Sequence, residues 1–182
     1  MGKAIAVIEY LTVASGVSAA DTMVKTAEIE LIQAEVVCPG KYIIIISGDL
    51  SAVNASIEAG KQLHGDKLVD SYVLGNPHED IFPAIYGATE IDNPKALGVV
   101  ETYSAASIIA AADVAAKTAE VQLIEIRVAK GMCGKCYLFL TGEVAAVTAS
   151  VERAKALAGD RAMLLDTSII ANPDKKTWSN II

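Results

Sequence analysis

Aromatic side chains make up only 5% of the 182 residues, with two Phe and a single Trp. The interior must therefore be built from small and β-branched groups rather than large rings. Basic residues are also scarce, 15 Lys and Arg against 22 Asp and Glu, which leaves a net charge of −7. Neutralising phosphates needs the opposite balance, so no nucleic-acid partner is expected. Three cysteines and two histidines suit a reducing compartment better than a disulfide framework, and they are too few for a four-thiolate site within one chain. No apolar run approaches the roughly 20 residues of a spanning helix. Residues 105–119 are interrupted by Asp113 and Lys117, and 42–46 is strand-sized, so no membrane partner is expected. Met1-Gly2-Lys3 leads straight into a short alternating strand instead of a signal-peptide pattern, and the expected location is cytoplasmic. A phosphate-cradling loop, a dinucleotide fingerprint and a serine elbow are all missing.

What is abundant is apolar and repeated. Hydrophobic residues reach 53%, far above the level of disordered chains, and this surplus points to assembly, because solitary domains seldom need so much apolar surface. Val7, Glu9, Ala14, Ser15, Ala19, Ala20, Asp21, Lys25, Thr26 and Ala27 recur as Val99, Glu101, Ala106, Ser107, Ala111, Ala112, Asp113, Lys117, Thr118 and Ala119, an offset of 92. Gly40-Lys41, Gly48, Val53, Ser56 and Glu58 recur as Gly134-Lys135, Gly142, Val147, Ser150 and Glu152 at an offset of 94. Asn76-Pro77 recurs as Asn172-Pro173 at 96. The chain is a tandem duplication with two small insertions in its second copy.

Each copy reads as strand–helix–strand–strand–helix–strand. Residues 4–9, 29–37, 42–47 and 68–74 are the strands of the first, with a helix capped by Ser18 and another over 52–63 capped by Asp49. Strands over 97–101, 121–129, 136–141 and 162–170 and helices over 106–118 and 144–157 repeat the order. This is a split βαβ, ferredoxin-like arrangement in an α+β chain of two domains, 1–92 and 93–182, with 81–91 and Asn93-Pro94 as connector.

Few residues offer chemistry. Cys133-Gly134-Lys135-Cys136 is a C-x-x-C, but a redox dithiol needs its first cysteine at a helix N-terminus, and this motif runs from a turn into a strand. Cys136 aligns with Tyr42 and reads as a small buried hydrophobe. Cys38 sits in a Pro-Gly breaker between two strands, where a thiol is presented rather than packed, the plain alternative being an idle loop cysteine. His64 and His78 stand alone among turn residues. Glu9 and Glu101 end equivalent strands. Paired carboxylates can do acid–base work, yet recurrence at one repeat position fits a shared structural or interface role better.

The stretches 4–9, 19–27 and 40–53, with their second copies, resemble the bacterial microcompartment shell domain. Two fused copies resemble the tandem-domain trimeric shell proteins, and the Cys38-Pro39-Gly40-Lys41 loop, Gly134-Lys135-Cys136-Tyr137 and the Trp178 tail are similar to those of propanediol-utilisation compartments. The resemblance implies a non-enzymatic structural protein, a flat pseudohexameric homotrimer that tiles with other shell proteins. It further implies that the Cys38 loop lines a central pore where three symmetry-related thiolates hold one [4Fe–4S] cluster per trimer, for electron transfer or cluster delivery across the shell with a flavin or iron–sulfur reductase as partner. Pro39, Gly40, Met132, Cys133 and Gly134 would form the pore loops, and Lys25 and Lys117 match the inter-tile edge lysine. The turns Asn76-Pro77-His78 and Asn172-Pro173-Asp174 depart from the arginine-bearing turn of hexameric shell proteins, which alters the expected edge contacts. The competing readings are a ligand-sensing regulatory module and a thiol oxidoreductase using Cys133 and Cys136.

Overall fold

The computed structural model describes residues 4–91 and 94–181. The expected division at 92/93 lies outside the described residues, as do Asn93 of the connector and the Met1-Gly2-Lys3 start. The first repeat comprises β1 (Ala4–Tyr10), α1 (Val13–Thr26), β2 (Glu30–Val37), β3 (Lys41–Gly48), α2 (Leu50–Leu63) and β4 (Leu68–Leu74). A short α3 (Ile81–Tyr86) precedes β5 (Ala96–Thr102), α4 (Ala105–Thr118), β6 (Val121–Val128), β7 (Cys136–Gly142), α5 (Val144–Asp160), β8 (Leu164–Ile170) and α6 (Lys175–Trp178). Two four-stranded sheets result, ordered β2-β3-β1-β4 and β6-β7-β5-β8, with every neighbouring pair antiparallel. β1 and β2 run parallel with β3 inserted between them, the expected split βαβ.

The chain divides into two compact units that do not follow the duplication. The first contains the described residues up to Pro77 together with Ser104–Ser107 and Ala129–Gly134; the second contains the described residues of His78–Tyr103, Ile108–Val128 and those from Lys135 onward. Two short pieces of the second repeat thus belong to the first unit.

In the first unit, Ala4, Ala6, Ile8 and Tyr10 of β1 join Tyr42, Ile44 and Ile46 of β3 beneath Ala19, Ala20, Met23, Val53 and Ile57 of the two helices. Both strands are buried on their two faces, so β1 is not the half-exposed strand its alternation suggests. Helix α1 starts at Val13 behind Thr12, well before the expected Ser18 cap. Its first turns hold Gly16 against Tyr42, where an added Cβ would come within 2.3 Å of the tyrosine Cβ and 2.4 Å of its ring. The glycine serves close packing. The second repeat has Ile108 and Cys136 at these two positions, large and small exchanged, and both are fully buried. Cys136 is a packing residue at the start of β7. Burial also pushes the Tyr10 hydroxyl up to about 12.

One hydrogen bond between helices recurs in the two units. Ser56 Oγ donates to the Met23 carbonyl at 3.0 Å and Ser150 Oγ to the Ala115 carbonyl at 2.9 Å, each a buried hydroxyl joining two helices. The segment expected to be a plain connector forms α3, which packs on β6. The tail ends in α6, and its Trp178 is buried with Leu97 and Ile124.

Candidate functional site: the Cys38 loop and its clamp

The tight connection between β2 and β3 carries Cys38, Pro39 and Gly40. Gly40 has φ 109, a conformation open to glycine and strained for other residues. Cys38 is half-buried and Pro39 and Gly40 are exposed. The longer 129–134 segment lies beside this loop within the first unit. The Cys38 amide donates to the Ala129 carbonyl at 3.3 Å. Gly134 leaves little room there, since a Cβ on it would stand 3.1 Å from the Cys38 carbonyl oxygen and 3.3 Å from Pro39. Lys130 pairs with Glu35 at 2.7 Å, and both line a cleft of about 460 Å³ with Cys38, Pro39, Gly40 and Gly131. The structure therefore brings together Cys38, Pro39, Gly40 and Gly134. Met132 is half-buried, and Cys133 is exposed at φ 52 in the turn.

A buried ion pair anchors the arrangement. Glu9, at the end of β1, is fully buried, and its Oε2 lies 2.8 Å from Lys41 Nζ. The same ammonium donates to the Gly134 carbonyl at 3.2 Å. Glu9 Oε1 accepts the backbone amides of Ala105 and Ala106, two of the N–H groups that a helix start leaves without intrahelical acceptors. Asp70 Oδ2 accepts from Ser104 Oγ and Ser107 Oγ. The carboxylates also complement the positive end of the α4 dipole. Glu9, Lys41 and Asp70 thus form a clamp around 104–107 and 129–134, with every charge satisfied. The recurrence of Glu9 points to this structural use, but sequence alone did not distinguish its burial from that of Glu101.

The other candidates are dispersed. Lys25 pairs with Asp21 and Lys117 with Asp113, each at 2.7 Å across one helical turn; Asp113 also accepts the His78 amide at 2.8 Å. His78 Nδ1 accepts the Asp80 amide at 3.3 Å. His64 meets the edge of Tyr10 with ring centroids 6.5 Å apart. The two thiols of the C-x-x-C differ fundamentally, Cys133 exposed and Cys136 fully buried, so they do not form an accessible dithiol. Among the described residues no three metal-ligating side chains of one chain come together.

The family described as the BMC domain matches residues 4–77 and again 96–173. The bacterial microcompartment shell protein PduT of Citrobacter freundii is 39% identical over 182 residues, 100% of this chain and 99% of that protein. The carboxysome shell protein CsoS1 of Prochlorococcus marinus is 36% identical over 88 residues, 47% of this chain and 85% of its own length. A microcompartment protein of Desulfitobacterium hafniense superimposes with a TM-score of 0.89 at 43% identity, covering 98% of this chain and 99% of that one. The fused permuted hexameric shell protein MSM0275 shares the fold, with a TM-score of 0.63 at 19% identity over 87% of this chain and 82% of its own.

Proposed function

We propose, from the premise that this chain belongs to the BMC-domain family as a tandem two-domain shell protein of a bacterial microcompartment, that it forms a homotrimeric, pseudohexameric tile whose axis carries a redox centre on Cys38. Three copies place six equivalent domains in a ring, and lateral contacts with other shell proteins extend it into a sheet. The observation that carries the redox reading is the Cys38 loop, which presents a half-buried thiol on a cleft.

The donor set fits an iron–sulfur cluster only when shared. One thiolate per chain, multiplied by a threefold axis, supplies three of the four protein positions that such clusters use. Cys38 from each copy would hold a [4Fe–4S] cluster, with the fourth iron left to a non-cysteine ligand. When bound, that cluster supplies one-electron transfer across the shell or is itself delivered, and a flavin or iron–sulfur reductase is the matching partner. The chain's own residues set the loop. Lys41 holds the Gly134 carbonyl, Ala129 accepts the Cys38 amide, and Gly134 keeps the 129–134 segment close without crowding Pro39. Cys136 stays in the packing, and Met132 and Cys133 belong to the neighbouring loop.

Iron and acid-labile sulfide analysis of anaerobically purified Cys38→Ser tests the assignment. Loss of both with an unchanged number of chains is expected. Full retention of iron and sulfide would overturn it.

A further inference from the structure

The clamp occurs once among the described residues, but the sequence encodes it twice. Glu101, Lys135 and Asp166 are the repeat equivalents of Glu9, Lys41 and Asp70, and the strand registers agree. Glu9 pairs with Asp70 and Glu101 with Asp166 at matching positions of their sheets. One local detail of the second set matches the first, since Asp166 Oδ1 accepts the amide of Thr167 as Asp70 Oδ1 accepts that of Ser71, both at 2.8 Å. Yet Glu101 is half-exposed, and Lys135 and Asp166 are exposed. Among the described residues neither the Glu101 carboxylate nor the Lys135 ammonium has an ion-pair or hydrogen-bond partner.

The segment that would fill the second clamp is present too, on the first repeat. Thr12, Val13, Ala14 and Ser15 are the equivalents of Ser104, Ala105, Ala106 and Ser107. The latter four are buried, whereas Thr12, Val13 and Ala14 are exposed. The difference extends along the same face. Val17 is 51% exposed where Ile109 is 1%, and Val36 is 57% exposed where Val128 is 3%. The sheet face shows the reverse. Val7, Ile43 and Ile45 are buried, while their equivalents Val99, Tyr137 and Phe139 are half-exposed. Each chain therefore has one open clamp and one uncovered helix start, the two halves of a contact it already makes internally. Thr12 makes no side-chain cap to α1, donating instead to the Ser15 hydroxyl at 3.0 Å, and the first turn of α1 has no acidic residue to meet its amides.

We propose that Glu101, Lys135 and Asp166 of one copy close around residues 12–15 and the Cys38 loop of a second copy. This rests on the trimer proposed above and names its contact. Glu101 accepts the amides of Val13 and Ala14. Asp166 accepts the hydroxyls of Thr12 and Ser15. Lys135 pairs with Glu101 and donates to the carbonyl of Gly40, as Lys41 does to that of Gly134. The contact joins two different surfaces, so it is heterologous and propagates in one sense until the ring closes. It also places the Cys38 loop of each copy against the 135 region of the next, coupling ring closure to the position of the thiol.

Sedimentation of the full-length protein and three variants tests this. Glu101→Arg and, independently, the surface change Asp166→Lys should convert three-chain particles to single chains, or raise the dissociation constant at least about 30-fold, with unchanged circular dichroism. Ala14→Arg, on the other side of the contact, should do the same. An equimolar mixture of Glu101→Arg and Ala14→Arg should form a dimer containing one of each, because one intact clamp and one intact helix start remain, and it should grow no further. A wild-type protein that sediments as a single chain would overturn both the trimer and this contact. Variants that stay trimeric would overturn the contact alone, as would a mixture that stays monomeric.

Discussion

Helices α1 and α4 hold the same place in their repeats and share much of their sequence, yet one lies open along its start while the other is buried there. Their difference is made by partners remote in sequence. Glu9, Lys41 and Asp70 capture the start of α4 and the 129–134 segment within the first unit, whereas the identical residue types at 101, 135 and 166 hold no second segment within the described residues. In this duplicated protein one copy of the contact fixes its own chain, while the other is left open among the described residues.

The comparison is broken most strongly at Glu9. Glu9→Ala would leave the Lys41 ammonium buried without its carboxylate and two helix amides without an acceptor, so urea unfolding should show a loss of about 3–5 kcal/mol. Glu101→Ala, measured on the single chain, should cost less than about 1 kcal/mol. Equal losses would mean that the two clamps are equivalent in the isolated chain.

A smaller effect appears in alkali, where burial raises one tyrosine of each repeat, Tyr10 and Tyr137, to about 12. Tyr10 is fully buried, with no hydrogen-bond partner for its hydroxyl among the described residues, and the second repeat has Thr102 at this position. Because burial raises the folded-state value to about 12 from the usual 10, the unfolded chain ionises first. The stabilisation is fully present below pH 10 and is lost as pH rises to about 12, a decline of up to about 3 kcal/mol. Tyr10→Phe should remove that part of the slope, and an unchanged slope would place the titration elsewhere.

The smallest effect concerns the edge. Lys25 is more exposed than Lys117, and its Asp21 partner is exposed where Asp113 is buried. Exposed pairs contribute about 0–1 kcal/mol, so neither Lys25→Glu nor Lys117→Glu should dissociate the trimer, but both should thin or abolish sheets in electron micrographs. Normal lattices from both variants would remove these lysines from the inter-tile edge.

Much of this was legible in the sequence, and what was not has a common cause. The duplication, the strand order and the exposed Cys38 loop follow from spacing, β-branched runs and the Cys-Pro-Gly breaker. The early start of α1 was hidden because Gly16 and the β-branched Val13 and Val17 mimic a loop, while the residue that needs Gly16 small, Tyr42, lies in another strand. Helix α3 was hidden in the same way, since its Ile81 and Ala84 are ordered by packing on β6 rather than by a long apolar period. Burial of Glu9 but not Glu101 cannot be read from identical residues at identical positions. Only the placement of Ser104–Ser107 and Ala129–Gly134 in the first unit distinguishes them.

Native mass spectrometry of the anaerobically purified, full-length protein addresses shell assembly and the Cys38 centre together. Three chains carrying four irons and four sulfides as one particle, with Cys38→Ser giving three chains and no metal, is the predicted result. A single chain, or a wild-type trimer free of iron and sulfide after anaerobic purification from iron-replete cells, would contradict the account.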